Sequence, residues 1–133
     1  MVKTDIRVIY GDTDQMGVVY YGNYLRYFEA GRTEYLRAVG IRYRDVETQF
    51  QVFLPVVEAH VSYHKPARFD DLLSVETVLD RVGRASARFA YRLVREGMAL
   101  ASGHTLHACV DRAGSVTPLP AELAARLRTN SPE

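Results

Sequence analysis

The chain has only one cysteine among its 133 residues and no long apolar run. A single cysteine, Cys109, cannot form an intrachain disulfide, so a disulfide framework is excluded and a reducing compartment is indicated. No window approaches the ~20 apolar residues of a membrane helix. The first residues lead into an alternating pattern, which is not typical of a signal peptide. These absences predict a cytoplasmic protein with no membrane insertion.

An excess of charge of one sign is also missing. Lys and Arg number 17 and Asp and Glu 16, for a formal net charge of +1. A nucleic-acid-binding domain is usually markedly basic, so no nucleic-acid partner is expected. The chain length suits one domain over residues 1–133, with about 128–133 as a frayed tail. No linker or internal repeat interrupts it.

Two periodicities organise the first forty residues. Residues 4–10 place Ile6, Val8 and Tyr10 on one face, which predicts a half-buried strand. From Tyr24 to Val39 the apolar period changes to three and four, which predicts one long amphipathic helix. Its apolar stripe comprises Leu25, Phe28, Tyr35, Leu36 and Val39. Within it, Gly31 would permit close backbone approach, and Gly40 is placed to cap the C-terminus.

The rest of the chain has patterns that are typical of β-strands. Alternating or β-branched segments are Gln51–Tyr63, Leu72–Val82, Arg84–Arg95 and Met98–Val110, and a short helix is predicted at Pro120–Leu127. One helix followed by long antiparallel strands is an α+β pattern, satisfied by a curved sheet wrapped around a central helix. Long strands leave sheet edges to cover, so oligomerisation by edge pairing is expected.

Chemistry is concentrated in the segment before the long helix. Asp12 and Asp14 lie in a turn-rich stretch that ends at Gly17. A helix start carries unsatisfied N–H groups that can hold an oxyanion, and a nearby carboxylate can activate water or attack a carbonyl. A thioester suits this small set of groups because a thiolate leaves readily. From local chemistry alone, a turn or an N-cap remains the stronger alternative.

A longer motif favours the catalytic interpretation. Residues 10–29, YGDTDQMGVVYYGNYLRYFE, closely resemble the signature of the 4-hydroxybenzoyl-CoA thioesterase family. The likeness continues through residues 32–34 and 63–71 and extends over nearly the whole chain. These relatives are hot-dog-fold enzymes that hydrolyse acyl-CoA thioesters, so the resemblance implies an α+β hot-dog fold, an acyl-CoA substrate and no cofactor. It also implies a homodimer or homotetramer with active sites between subunits.

The resemblance assigns roles to individual residues. Asp14 would be the catalytic carboxylate, Asp12 would order the loop, and the backbone N–H of Tyr21 would polarise the thioester carbonyl. A large branch of the family has histidine where this chain has Tyr21, which disfavours an imidazole mechanism. Lys65 and Arg84 would meet the CoA phosphates or, alternatively, belong to an ordinary solvated charged surface. In the family the turn before the strand at Arg84 often supplies such contacts.

Other candidates have more ordinary explanations. Tyr24, Phe28, Phe53 and Pro55 would line an acyl pocket or pack the core, with core packing favoured for Tyr24 and Phe28. In a strand the His60 and His64 side chains would be about 13 Å apart, and His104 and His107 fall on opposite faces, so no metal site is expected.

Three other functions stay open. An acyl-carrier-protein thioesterase would use the same chemistry on a protein-borne thioester. A hot-dog hydratase would need an Asp–His pair on one loop, and this loop lacks histidine. A non-catalytic acyl-CoA-binding protein would keep the fold while making Asp14 dispensable.

Overall fold

The computed structural model describes residues 1–129, in which one helix packs against one antiparallel sheet. In chain order the elements are β1 (Val2–Arg7), a 3₁₀ helix (Tyr10–Asp12), α1 (Asn23–Ala38), α2 (Tyr43–Thr48), β2 (Val56–Tyr63), β3 (Leu72–Val82), β4 (Ser86–Arg95), β5 (Met98–Ala108) and α3 (Ala121–Thr129). The strand order is β1-β3-β4-β5-β2, and every neighbouring pair is antiparallel. The α+β prediction is confirmed.

The long helix is close enough to the sheet that its middle position requires glycine. α1 contacts β1, β3 and β4. A Cβ built at Gly31 would lie 2.5 Å from Thr77 Oγ1 and 2.6 Å from Val75 Cγ1, both on β3. Three residues earlier, the buried Phe28 ring stacks on Tyr91 of β4 with centroids 4.3 Å apart. The close approach predicted at Gly31 is confirmed, and Phe28 belongs to the core.

The helix ends as its sequence predicts. Gly40 has a φ of +87°, in the left-handed region that glycine adopts at little cost. The Gly40 N–H donates to Arg37 O at 3.1 Å and the Ile41 N–H to Leu36 O at 2.8 Å. This pair of bonds is the Schellman motif, and the buried Ile41 and Leu36 side chains supply its usual apolar contact.

Two details of the N-terminal half were predicted wrongly. β1 ends at Arg7, and Tyr10 begins the 3₁₀ helix with 77% of its surface exposed. The chain turns there into the 3₁₀ helix: the Asp12 N–H donates to Ile9 O at 3.0 Å, and the Asp12 carboxylate accepts the Ile9 N–H. Leu25, assigned to the apolar helix stripe, is 39% exposed.

The other observed element boundaries differ from the predicted ones for local reasons. α2 was not predicted, and β2 begins at Val56, five residues later than predicted. Gln51 has a φ of 60°, which is incompatible with a continuous strand from that residue. β4 begins at Ser86 because the Gly83 N–H donates to Ser86 O, closing a turn that includes Arg84. α3 continues to Thr129, so residues 128 and 129 are helical; the rest of the predicted frayed tail lies outside the described residues.

β2 is an edge strand with little cover. It pairs only with β5 among the described strands, and Val56 and Val57 are 44% and 59% exposed. His64, predicted on this strand, follows its last residue. None of the described helices is long and apolar enough to cross a membrane.

Candidate active site

The segment between β1 and α1 is a tight hairpin with Asp14 at its corner. Thr13 and Val19 pair as an antiparallel bridge. The Asp14 N–H donates to Val18 O at 2.9 Å, and the Gly17 N–H donates to Asp14 O at 3.0 Å. Gly17 closes the turn with a φ of +80°, a conformation that favours glycine. The half-buried Asp14 side chain accepts the Met16 N–H at 2.9 Å and makes no ion pair among residues 1–129.

Asp12 holds this hairpin against the helix. Its carboxylate, 4% exposed, accepts the Tyr27 hydroxyl at 2.8 Å and pairs with Arg26 at 3.0 Å. Its carbonyl accepts the Tyr20 N–H and the Asn23 side-chain amide, both at 2.9 Å. The loop-ordering role implied for Asp12 is therefore borne out by its contacts. Burial and the hydrogen bond to Asp12 raise the pKa of Tyr27, which keeps this phenol a donor.

Replacing Asp12 by alanine should lower the free energy of unfolding by about 2–3 kcal/mol. The buried Tyr27 hydroxyl would lose its acceptor, while the exposed Arg26 would be rehydrated at little cost. Urea unfolding measures the change, with Asp5→Ala as the control because Asp5 is exposed on β1 and unpaired among the described residues. A loss within about 0.5 kcal/mol of that control would contradict the anchoring role.

An open groove of ≈ 460 Å³ lies between this hairpin, the start of α1 and the end of β2. It brings together Asp14, Tyr21, Tyr24 and Lys65, four of the residues that the sequence selected. The remaining lining is mostly apolar or aromatic: Met16, Val18, Val19, Tyr20, Tyr63, His64 and Pro66. An acidic side chain thus borders an apolar groove that is large enough for an organic substrate.

The helix start has two backbone donors without a partner among residues 1–129, and one of them belongs to Tyr21, which lines this groove. The Asn23 N–H donates to Tyr20 O at 2.9 Å and the Tyr24 N–H to Tyr21 O at 3.3 Å, so the first turn reaches back to Tyr20. The N–H groups of Tyr21 and Gly22 have no acceptor within residues 1–129. Unsatisfied donors at a helix start carry partial positive charge and suit an anion or oxyanion.

Tyrosines fix the geometry on the strand side. The Tyr63 hydroxyl donates to Tyr21 O at 2.9 Å, and the Tyr24 hydroxyl accepts the Ala67 N–H at 3.1 Å. The Tyr63 ring meets the Tyr24 ring edge-on, with centroids 4.9 Å apart. Tyr63 was not predicted as a site residue and appeared only as part of the motif at residues 63–71. The alternation of β2 puts it on the same face as Val61, toward the helix, and this was the available signal.

Pro55 and Arg84 do not line this groove. Pro55 precedes β2, and its carbonyl accepts the Ala108 N–H at 3.2 Å. Arg84 is exposed in the turn between β3 and β4, where its carbonyl accepts the Leu119 N–H; it makes no ion pair with any described residue. Within one chain, therefore, Pro55 and Arg84 do not contribute to the groove that holds Asp14.

A second cavity, of ≈ 240 Å³, lies farther along α1 and includes Arg32 and His107. His107 is 3% exposed, and both ring nitrogens have partners: Thr105 Oγ1 at 2.8 Å and Leu54 O at 2.9 Å. Burial lowers the pKa of this imidazole, and the Leu54 carbonyl, an acceptor only, requires the proton on Nδ1. His107 is a satisfied core histidine and supplies no free base.

The comparison with known families decides the identity. The family model of the thioesterase-like superfamily matches residues 8–127. The chain belongs to this superfamily. The match includes the Asp14 hairpin, the start of α1 and the end of β2, which together form the groove.

Individual relatives align with this chain over most of their lengths. This thioesterase-like chain is 40% identical to the acyl-CoA thioesterase YbgC of Haemophilus influenzae over 106 residues, covering 80% of this chain and 78% of that one. It is 33% identical to the 1,4-dihydroxy-2-naphthoyl-CoA hydrolase of Synechococcus elongatus over 120 residues, 88% of each chain.

A solved structure has the same fold over nearly the whole chain. A hypothetical protein from Thermus thermophilus superimposes with a TM-score of 0.91 at 38% identity, covering 96% of this chain and 98% of that one. The five-stranded antiparallel sheet with its central helix, in a chain of this superfamily, confirms the predicted hot-dog fold.

Proposed function

We propose that this thioesterase hydrolyses an acyl-CoA to a free acid and CoA in the groove that holds Asp14. One observation carries the proposal: the half-buried Asp14 carboxylate and Tyr21, whose N–H at the helix start has no acceptor within residues 1–129, line the same mostly apolar groove. The first supplies a base or nucleophile, and the second supplies oxyanion stabilisation. Acyl-CoA hydrolysis by two relatives with these lengths of shared sequence supports the choice of thioester.

The roles within the reaction follow from the groups available. Asp14 either takes a proton from water as the water oxygen attacks the thioester carbon, or attacks that carbon itself to form an anhydride that water then cleaves. In both routes the Tyr21 N–H donates to the developing oxyanion. The C–S bond of the tetrahedral intermediate then breaks, and in the second route this step forms the anhydride before water cleaves it. CoA leaves as a thiolate without a general acid, because a free thiol of this kind has a pKa of roughly 8.5. No cofactor takes part in either route.

The groove also suggests how the substrate is held. The mostly apolar surface around Tyr24 suits the acyl group or the thiol-bearing arm of CoA. Lys65 lies at the exposed rim and makes no ion pair with any residue from 1 to 129, which leaves its ammonium group available for a CoA phosphate.

Replacing Lys65 by glutamine should raise KM for an acyl-CoA about fivefold at low salt and leave kcat unchanged, because the rim charge contributes to binding alone. Initial rates at two ionic strengths measure the change, which should shrink at high salt. Lys3→Gln is the control, since Lys3 is exposed on β1 and does not line the groove. An equal KM increase with an acyl-pantetheine, which lacks the CoA phosphates, would contradict the phosphate contact.

We infer that Pro55 and Arg84 serve the site from a second subunit. Neither lines the groove of its own chain, and the exposed β2 edge beside that groove offers unpaired backbone groups for a second copy. A homodimer or homotetramer formed by edge pairing would then complete the substrate site. A cytoplasmic location belongs to the same proposal and agrees with the single, buried cysteine.

The test is release of CoA thiol by the purified protein from short, long and aromatic acyl-CoAs. We expect hydrolysis of at least one of them. An acyl-carrier-protein substrate of the same acyl group is compared in parallel, and strong preference for it would replace CoA by the carrier protein. No thiol release from any substrate would reject the enzymatic proposal in favour of non-catalytic acyl-CoA binding.

A further inference from the structure

The second cavity along α1 contains a largely buried cation that no buried anion balances. This cavity, of ≈ 240 Å³, shares no lining residue with the groove of Asp14. It is lined by Glu29, Arg32, Thr33, Leu36, Tyr43, Leu54, Phe89 and His107. Leu36, Leu54 and Phe89 are buried and make its walls partly apolar. Arg32 supplies the positive charge.

The Arg32 guanidinium has little compensation for its charge. Its side chain is 19% exposed, and its one ion pair among residues 1–129 is with Glu29, 4.0 Å away. That distance is longer than a hydrogen bond, and the Glu29 side chain is 69% exposed. A guanidinium has five N–H donors, and a buried charge without a close partner is costly. A negatively charged group inside the cavity would remove this cost.

The polar groups beside Arg32 are uncharged and already bonded to one another. His107 Nδ1 donates to Leu54 O at 2.9 Å, so its Nε2 accepts from Thr105 Oγ1 at 2.8 Å. Thr105 Oγ1 in turn accepts from the Tyr91 hydroxyl at 2.6 Å. Burial raises the pKa of Tyr91 against the smaller effect of Arg32, whereas burial and the charge of Arg32 both lower the pKa of His107. Neither side chain can therefore neutralise the guanidinium.

These features suit a carboxylate attached to a small apolar body. The planar fork of a guanidinium matches a carboxylate through two parallel hydrogen bonds. The apolar walls suit a short hydrocarbon chain, and the volume is below that of pockets for drug-sized ligands. A phosphate dianion fits less well, because it has no apolar part and its larger charge would be repelled more strongly by Glu29.

We propose that the Arg32 cavity is a binding site for a small carboxylate. The carboxylate belongs either to a free organic acid or to the far end of an acyl group. Leu54 at the cavity and Tyr63 at the groove are separated by roughly 30 Å of extended chain, too far for one small acyl group. Two copies paired antiparallel through β2 would bring the cavity of one beside the groove of the other. The acyl source rests on the proposed function, and the free-acid source does not.

Butanoate and the uncharged butanamide, which has the same shape, test the site without turnover. NMR titration of isotope-labelled protein measures both affinities. We expect butanoate to bind about tenfold more tightly than butanamide, and Arg32→Gln to weaken butanoate binding about tenfold. Arg37→Gln is the matched control and should bind like the native protein. Arg37 also forms an i,i+3 ion pair on α1, with Glu34, but it is 54% exposed and does not line the cavity.

Glu29→Gln tests the site with Arg32 in place. It removes the carboxylate that competes with the ligand, so butanoate should bind about threefold more tightly. Unchanged or weaker binding to this variant would overturn the proposal even if Arg32→Gln failed to fold. So would native butanoate affinity in Arg32→Gln that thermal unfolding shows to be folded, or native protein that binds inorganic phosphate or butanamide as well as butanoate.

Thiol release from glutaryl-CoA and pentanoyl-CoA distinguishes the two sources. Both acyl groups have five carbons, and only glutaryl ends in a carboxylate. If the acyl group supplies the carboxylate, KM should be lower for glutaryl-CoA, and Arg32→Gln should raise that KM about tenfold without changing the value for pentanoyl-CoA. Equal KM values in both proteins, with butanoate binding lost in Arg32→Gln, would assign the cavity to a free acid. No thiol release at all would reject the proposed function, while the butanoate titration would still decide the carboxylate site.

Discussion

Replacing Asp14 by asparagine is expected to lower kcat for thioester hydrolysis by about 10³-fold without unfolding the protein. Asparagine has the same shape, and its side-chain oxygen can still accept the Met16 N–H that Asp14 accepts at 2.9 Å. The amide can neither take a proton from water nor attack the carbonyl. The other hydrogen bonds of the turn involve backbone atoms and are unaffected. Single-turnover and steady-state thiol release, with thermal unfolding, measure the two effects.

The chain contains its own control for this substitution. Asp111 sits in a second hairpin of the same form, where its carboxylate accepts the Ala113 N–H at 2.9 Å and Gly114 has a φ of +86°. Asp111 is not in the groove. Asp111→Asn should therefore have native kcat. Because the Asp111 carboxylate also accepts the Ser115 N–H at 3.0 Å, its stability change should be at least as large as that of Asp14→Asn. Retention of native kcat by Asp14→Asn would remove Asp14 from the mechanism, whatever the fate of the fold.

Gly103→Ala is expected to lower the free energy of unfolding by about 3 kcal/mol. Gly103 lies on β5 opposite Val61 of β2. A Cβ there would lie 2.1 Å from the His60 carbonyl oxygen and 2.8 Å from Phe28 Cε2. The oxygen belongs to the backbone of β2 and cannot move without separating the two strands. Because β2 carries Tyr63 and leads to Lys65, activity should fall together with stability.

Urea unfolding of Gly103→Ala and Gly11→Ala provides the measurement. Gly11 is exposed, and the nearest atom to a Cβ at that position is Ile9 Cδ1 at 4.0 Å, so alanine fits there. The Gly11 variant should unfold within about 0.5 kcal/mol of the native protein. A native-like midpoint for Gly103→Ala would mean that β2 and β5 can separate locally at little cost, contrary to the packing described.

Sequence periodicity predicted the elements that bury a continuous apolar face. The helix predicted at Tyr24–Val39 is observed at Asn23–Ala38, and the strand at Leu72–Val82 has the predicted bounds. Periodicity failed where contacts between distant segments decide the backbone. α2 has six residues and one buried side chain, Val46, so it carries almost no periodic signal. Tyr10 alternates like a strand residue, but it begins a 3₁₀ helix whose start is capped by the Asp12 carboxylate at the Ile9 N–H.

The predicted site residues likewise differ in whether local sequence or contacts between distant segments place them at the groove. Asp14, Tyr21 and Tyr24 come from one continuous motif and are brought together by the hairpin and helix that this motif forms. Lys65 comes from a distant segment. It was predicted from the family resemblance, and not from any sequence pattern that places it next to Asp14. Tyr63 was missed as a site residue because its contact with Tyr21 O joins residues 42 positions apart. The alternation of β2 directs Tyr63 toward the helix, but it does not specify Tyr21 as the partner.

Asp14 illustrates what the sequence alone does not determine. The hairpins at residues 14–17 and 111–114 share the pattern Asp-x-x-Gly, and in both the aspartate accepts the N–H two residues on, while the glycine has a positive φ. The sequence by itself determined both turns, because an aspartate that binds its own backbone and a left-handed glycine are local requirements. Only the tertiary structure set them apart. The start of α1, where the Tyr21 N–H has no acceptor among the described residues, and the end of β2 pack around Asp14 and not around Asp111. A carboxylate acts on a carbonyl only where a pocket holds both.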